Sequence, residues 1–250
     1  GRAAKIARLV KEVLVIFPFE EEIYRKAGAN VSFVGHPLLD SVPAPAEKPE
    51  TPEGNAFKIG ILPGSRKSEI ARHLPIFVQA FYKIKSAYPG SRAYVFAVPE
   101  FPDEKLVPAL ESVDKYWSRD IEIVREQDYR VRSTMDFAFT CSGTATLENA
   151  LMGLPMAVAY QMAAFSFAIA KRIAKVQYIS LANILLKRPV VKELMQEKAE
   201  PGALAQEALS LLNSPDKMAA MRGEFLGLRS LLGTPGAAER AAEKILNHLK

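Results

Sequence analysis

The chain has 250 residues, 49% apolar and 24% charged, so a sizeable core is available and disorder is excluded as the default. Its one cysteine, Cys141, excludes an internal disulfide and a multi-cysteine zinc site, and fits a reducing compartment. A net charge of +5 suits nucleic acid, anionic lipid or phosphorylated small molecules, but no arginine cluster interleaves with aromatics, so no nucleic-acid partner is expected.

In chain order, residues 1–12 predict a helix, with no apolar core and cleavage site of a signal peptide around them. Residues 13–17 predict a strand, 20–27 a helix stopped by Gly28, and 31–34 a second strand. His36 then suits a structural role ahead of Pro37. Residues 43–55 are proline-rich and aperiodic, as a semi-rigid linker is. Residues 57–62 predict a strand. Residues 68–88 predict a helix with Ile70, Leu74, Phe77, Val78, Phe81 and Ile84 on one face, Pro75 starting its second segment. Further strands are expected at 93–98, 121–124, 136–140 and 156–160. Helices are expected at 102–117 and 144–152, with a short one between 124 and 136. The tail from Pro201 is helical, broken at Pro215 and at 233–235. Residues 149–170 carry no charge and are long enough to span a bilayer, but Gly153 and Pro155 interrupt them, which favours helix, buried strand, helix. Strands alternating with helices predict an α/β fold, a doubly wound parallel sheet of Rossmann type. Such sheets bind ligands beyond the carboxyl ends of their strands, where strand order reverses.

Two turns carry chemistry. GILPGSRKS nearly imitates a phosphate-binding loop, but Ser65 stands where that loop needs glycine and Arg66 where it needs lysine. What remains is a tight turn with outward amides, a hydroxyl and a guanidinium able to grip a phosphate. A merely solvated arginine fits the spacing equally. In CSGTATLE, Ser142-Gly143-Thr144 ends a strand and opens a helix whose free N–H groups suit an anion. Glu148 is not placed for a capping box, since Ala145 stands three residues before it. It shares a face with Thr144, where a carboxylate can accept both hydroxyls of a ribose. Together the turns predict a nucleoside diphosphate site.

The segments PFEEEIYRKAG, VGHPLLD, LPGSRKSEI, CSGTATLENALMGLPMAVAY and AKRIAKVQYISLANIL, in this order over residues 1 to about 200, resemble the later portion of lipid-A-disaccharide synthase. The resemblance implies a two-domain GT-B glycosyltransferase needing no metal or other cofactor. It implies transfer of diacylglucosamine from UDP-diacylglucosamine to diacylglucosamine 1-phosphate (lipid X), with inversion. Arg66, with Gly64 and Ser65, would contact the diphosphate and stabilise the leaving group. Ser142, Gly143 and Thr144 would face it too, and Glu148 would hold the ribose. Tyr160, Gln161 and Met162 would lie near the uridine or sugar, although core packing suits Tyr160 and Met162 as well. Gln196 would close the site. Asn183 joins this set, although it follows Ala182 where the family pattern leads one to expect proline. Acylated substrates imply work at the cytoplasmic face of the inner membrane. An amphipathic helix at 163–176 suits an anionic membrane, and packing on the domain core suits it at least as well; Lys171, Arg172, Lys175, Lys187 and Arg188 are expected to form part of a basic surface facing lipid or phosphate. A homodimer is left open.

The expected division is 1–42, the end of an acceptor-binding domain; 43–55, a linker; 56–200, the UDP-sugar-binding domain; and 201–250, C-terminal helices. On this reading the general base lies in a preceding domain and the piece alone is inactive. Its strand 13–17 would then expose Val13, Val15 and Phe17. UDP-sugar 2-epimerases share the fold and the glutamate, and a non-catalytic UDP-binding module is a further alternative. AKRIAKVQYISLANIL argues against the epimerase.

Overall fold

The computed structural model describes residues 1–45, 56–162 and 177–249. Most of the expected linker, and the expected amphipathic helix at 163–176, lie outside them. The chain divides into two compact units, Gly1–Pro43 with Leu226–Lys250, and Ala44–Phe225.

The larger unit holds six parallel strands: β3 (Lys58–Leu62), β4 (Arg92–Phe96), β5 (Ile121–Val124), β6 (Phe137–Cys141), β7 (Met156–Tyr160) and β8 (Lys192–Met195). Their order is β5-β4-β3-β6-β7-β8. The chain runs outward from β3 to β5, returns to β6 beside β3, and runs outward the other way. Strand order therefore reverses between β3 and β6, with Leu62 in register with Thr140. The expected doubly wound parallel sheet is present, with one strand more, β8, than the sequence pattern suggested. KELM in β8 has too little apolar periodicity to declare itself.

The helices are α4 (Lys67–Ala87), α5 (Asp103–Glu111), α6 (Thr144–Leu151), α7 (Leu181–Leu186) and α8 (Pro201–Leu212). Helices α4 and α8 pack on each other, as do α6 and α7. The core is aromatic at its centre. Phe77 of α4 stacks on Phe139 of β6 at 5.8 Å, and Phe137 meets Phe139 edge-on at 5.3 Å, all three fully buried. Pro75 does not restart α4 as expected but lies inside one continuous helix. Its missing N–H and ring cost about 3 kcal/mol in a helix interior. Burial of Ile70, Leu74, Phe77 and Val78 on both sides of it offsets that. Region 102–117 is also shorter as a helix than its pattern suggests, ending at Glu111.

The smaller unit is built from α1 (Arg2–Ala7), β1 (Val13–Val15), α2 (Pro18–Lys26), β2 (Val31–Phe33) and α3 (Leu38–Ser41). The end of α9 (Pro215–Leu231) and all of α10 (Ala237–Asn247) complete it. Strands β1 and β2 pair in parallel, and Val15 is buried, against the expectation that it would be exposed. The C-terminal helices join this unit through hydrogen bonds. Arg240 of α10 donates to the carbonyls of Val34, Thr234 and Pro235 at 2.6–2.8 Å. Glu12 accepts from Ser32 and pairs with His248. Residues 201–225, by contrast, belong to the larger unit, so a boundary at 201 does not describe the contacts. His36 has the structural role expected of it: its Nδ1 accepts from Leu38 N–H at 3.2 Å, and its ring packs on Phe17.

Phe139→Ala removes the centre of the aromatic stack. It is expected to lower stability by about 3–5 kcal/mol, read as a fall in the urea midpoint.

Candidate functional site

The reversal point between β3 and β6 opens into a cleft of about 450 Å³. It is lined by Gly64, Ser65, Arg66 and Glu69 after β3, by Ser142, Gly143, Thr144 and Glu148 after β6, and by Glu126, Tyr129 and Arg132 after β5. Seven residues singled out in the sequence thus meet here from segments about eighty residues apart.

The turn after β3 is not built as expected. Glu69 Oε2 accepts from the N–H groups of Ser65 and Arg66 at 3.2 and 3.3 Å, so those amides face a carboxylate rather than the opening. Its Oε1 accepts from the Arg66 guanidinium at 2.9 Å. Gly64 has φ +112, and a Cβ there would stand 2.6 Å from that same carboxylate, so only glycine fits. Arg66 keeps 79% of its side chain exposed and engages one of its five N–H groups. The sequence carries the signal for Glu69: its place in the first helical turn, three residues after Arg66, is that of a capping acid.

The turn after β6 offers helix-start N–H groups without intrahelical acceptors. Gly143, at φ +151, has open space where a Cβ would stand, so ligand can approach the backbone. The Ser142 hydroxyl donates to the carbonyl of Ile179 at 2.7 Å, which leaves its lone pairs, not its proton, for anything in the cleft. Glu148 shares its face with Thr144 as expected, but Arg132 holds it: NH1 donates to Oε2 at 2.8 Å. Nothing in the spacing of REQDYRVR pointed to Arg132. It reaches the site from a single 3-10 turn, Arg132–Thr134. Cys141 lines the floor, and burial pushes its thiol up to about 12, so it is no nucleophile at neutral pH.

The remaining candidates do not line the cleft. Tyr160 ends β7 with its ring 6.0 Å from that of His73. Gln161 donates to the carbonyls of Gln196 and Ala199. Gln196 exchanges hydrogen bonds with the backbone of Met162. These three positions tie the end of β7 to the end of β8. Asn183 is fully buried. Its oxygen accepts from the N–H groups of Val190 and Val191, and its nitrogen donates to Val191 O and Glu193. No polar atom of it is left over to meet a substrate. The SLAN segment buttresses the SGT turn from behind: Thr146 Oγ1 accepts from Leu181 N–H, and Glu193 gathers Ile179, Ser180 and Asn183.

His73, buried beneath the turn after β3, accepts from Gln161 N–H at Nε2, so its proton resides on Nδ1. Nδ1 has no partner in hydrogen-bonding geometry. Burial lowers the His73 pKa, outweighing the nearby carbonyls of Glu69 and Pro63.

A parallel six-stranded sheet that changes winding direction at such a cleft defines a Rossmann-like domain, and its structural neighbours place it with the GT-B fold. Solved structures agree on the fold. UDP-GlcNAc 2-epimerase from Neisseria meningitidis, bound to UDP-GlcNAc, matches at TM-score 0.64 and 12% identity over 96% of this chain and 62% of that one. An S. aureus MnaA–UDP structure matches at TM-score 0.61 and 14% identity over 98% and 61%. The sequence is more specific. The lipid-A-disaccharide synthetase family model matches residues 1–231, and the chain belongs to that family. Lipid-A-disaccharide synthase of Syntrophus aciditrophicus is 38% identical over all of this chain, and that of Geobacter metallireducens 35%. The chain spans 66% and 65% of the length of these two relatives.

Asn183→Ala strands the buried N–H groups of Val190 and Val191. It should cost about 1–3 kcal/mol of stability in a denaturant titration and leave ligand affinity unchanged. The unfolded chain protonates His73 near its ordinary 6.5, before the folded chain does. Its contribution to stability is therefore complete above that pH and declines below it. Melting temperature should fall from pH 6.5 toward about 5, above the range where carboxylates titrate, and His73→Gln should reduce that slope.

Proposed function

We propose that the cleft binds the UDP part of a nucleotide sugar, and that the protein transfers diacylglucosamine from its UDP donor to diacylglucosamine 1-phosphate, forming the lipid A disaccharide. The observation that carries this reading is the meeting of the PGSR turn and the SGT helix start at the strand reversal, in a chain of this family.

The acceptor hydroxyl attacks the anomeric carbon while the bond from that carbon to the β-phosphate oxygen breaks. Charge gathers on the departing UDP. Arg66 and the N–H groups at the start of α6 stand where that charge appears. Glu148 takes the ribose hydroxyls. The attacking hydroxyl must also lose a proton. Of the three carboxylates lining the cleft, Glu69 and Glu126 have both oxygens engaged within the protein, and Glu148 has one oxygen held by Arg132 and the other given to the ribose. The base therefore comes from outside this set. The epimerase alternative rests on fold alone, at 12–15% identity, and family membership favours the transferase.

Because both substrates are acylated, the protein works at an anionic membrane surface. Among the described residues no helix is long and apolar enough to cross a bilayer. Of the basic residues expected at the surface, Lys187 and Arg188 are exposed, Arg188 pairing with Glu224. Lys171, Arg172 and Lys175 lie outside the described residues.

Arg66→Ala is expected to weaken UDP binding about ten- to a hundredfold, the equivalent of one charge-assisted hydrogen bond, with the melting temperature unchanged. Calorimetric titration of the 250-residue chain measures it. Unchanged affinity would return Arg66 to a solvated surface role.

A further inference from the structure

Arg132 is the most engaged side chain in the cleft wall. It is 7% exposed. Its Nε donates to Asn149 Oδ1 at 2.8 Å, NH1 to Glu148 Oε2 at 2.8 Å, and NH2 to the carbonyl of Ala145 at 3.1 Å. These acceptors stand at i, i+3 and i+4 of α6, so one guanidinium grips one face of the helix across a full turn. The turn that carries Arg132 is itself fixed. Glu126 accepts from the N–H groups of Val131 and Arg132 at 2.6 and 2.8 Å, and the guanidinium lies over the Tyr129 ring at 5.6 Å.

A buried cation beside a nucleotide site would ordinarily be read as a phosphate ligand. The geometry argues otherwise, because its fork is turned onto α6 and three of its five N–H groups are engaged there. The effect falls on Glu148. With Oε2 held by Arg132, the carboxylate cannot rotate freely. Oε1 has no hydrogen-bond partner among the described residues, and Glu148 lines the cleft.

We infer that Arg132 is a positioning residue for ribose recognition: it fixes the Glu148 carboxylate so that one oxygen is anchored and the other is presented to the sugar diol. This rests on the nucleotide reading of the cleft. It also assigns Glu126 a role one step further back, as the clamp on the turn that delivers Arg132. A lysine in place of Arg132 would keep the charge but could not make three bonds in one plane.

The test is calorimetric titration of the 250-residue chain with UDP, 2′-deoxy-UDP and UMP. The wild type should prefer UDP over its 2′-deoxy form by about tenfold or more, as one lost hydrogen bond to a charged group implies. Arg132→Met and Arg132→Lys should bring that ratio within about twofold, while the UDP-to-UMP ratio stays that of the wild type. Adding Glu148→Gln to Arg132→Met should lower the ribose ratio no further. If Arg132→Met keeps the ribose preference and only melts earlier, Arg132 is a brace for α6 and the inference is overturned. If the UDP-to-UMP ratio collapses instead, Arg132 is a phosphate ligand and the inference is again overturned. Should Arg132→Met fail to fold, Glu126→Gln reads the same ratio through the loosened turn, and an unchanged ratio there counts against the inference. A wild-type chain that binds no UDP would remove the nucleotide reading itself, a result distinct from all of these.

Discussion

The parallel pairing of β3 with β6 is the constraint on which the site depends. It brings Leu62 beside Thr140 and so sets the ends of two strands, far apart in sequence, next to each other. Every group proposed to meet a diphosphate leaves the sheet at that line. A one-residue slip in register would turn the alternating side chains of β6 over and bury the wrong ones. The slip is prevented by the core itself, where Phe139 meets both Phe77 of α4 and its neighbour Phe137 on one face of the sheet.

Around the cleft, carboxylates turn inward. Glu69 closes the first turn on itself, Glu126 holds the turn bearing Arg132, and Glu193 gathers the segment behind Ser142. Each satisfies backbone N–H groups that a tight turn leaves without partners, and unmade bonds of that kind are costly when buried. The consequence is electrostatic as well. A site proposed for an anion tolerates several acids in its wall because hydrogen bonds directed away from the opening absorb them. Arg66, the exposed guanidinium among them, remains turned to solvent.

The two units also explain how the C-terminal helices serve different ends. Helix α8 packs against α4 and completes the layer that covers the sheet. Helix α10 instead closes over residues near the start of the chain, through Arg240 and the Glu12–His248 contact. The sequence boundary at residue 201 misses this because helical periodicity reports which face is apolar and not which partner it meets.

The sequence by itself determined the alternation of strands and helices, hence the doubly wound sheet, and the two turns that line the cleft. These features are local: apolar runs bounded by glycine and proline, and a helix start following a buried strand. The segments quoted from residues 1 to 200 also carried enough specificity to indicate the family. Only the tertiary structure decided which side chains are free to act. Asn183 sits in a stretch that resembles a site, yet its amide is taken up by backbone and Glu193. Gln161 and Gln196 are bound to each other's strand ends rather than to the cleft. Arg132, unremarkable among the charged residues of its loop, becomes central because folding carries it onto α6. Hydrogen bonds across long sequence separation leave no periodic trace in the chain, so a side chain's availability is settled only when its partners are in place.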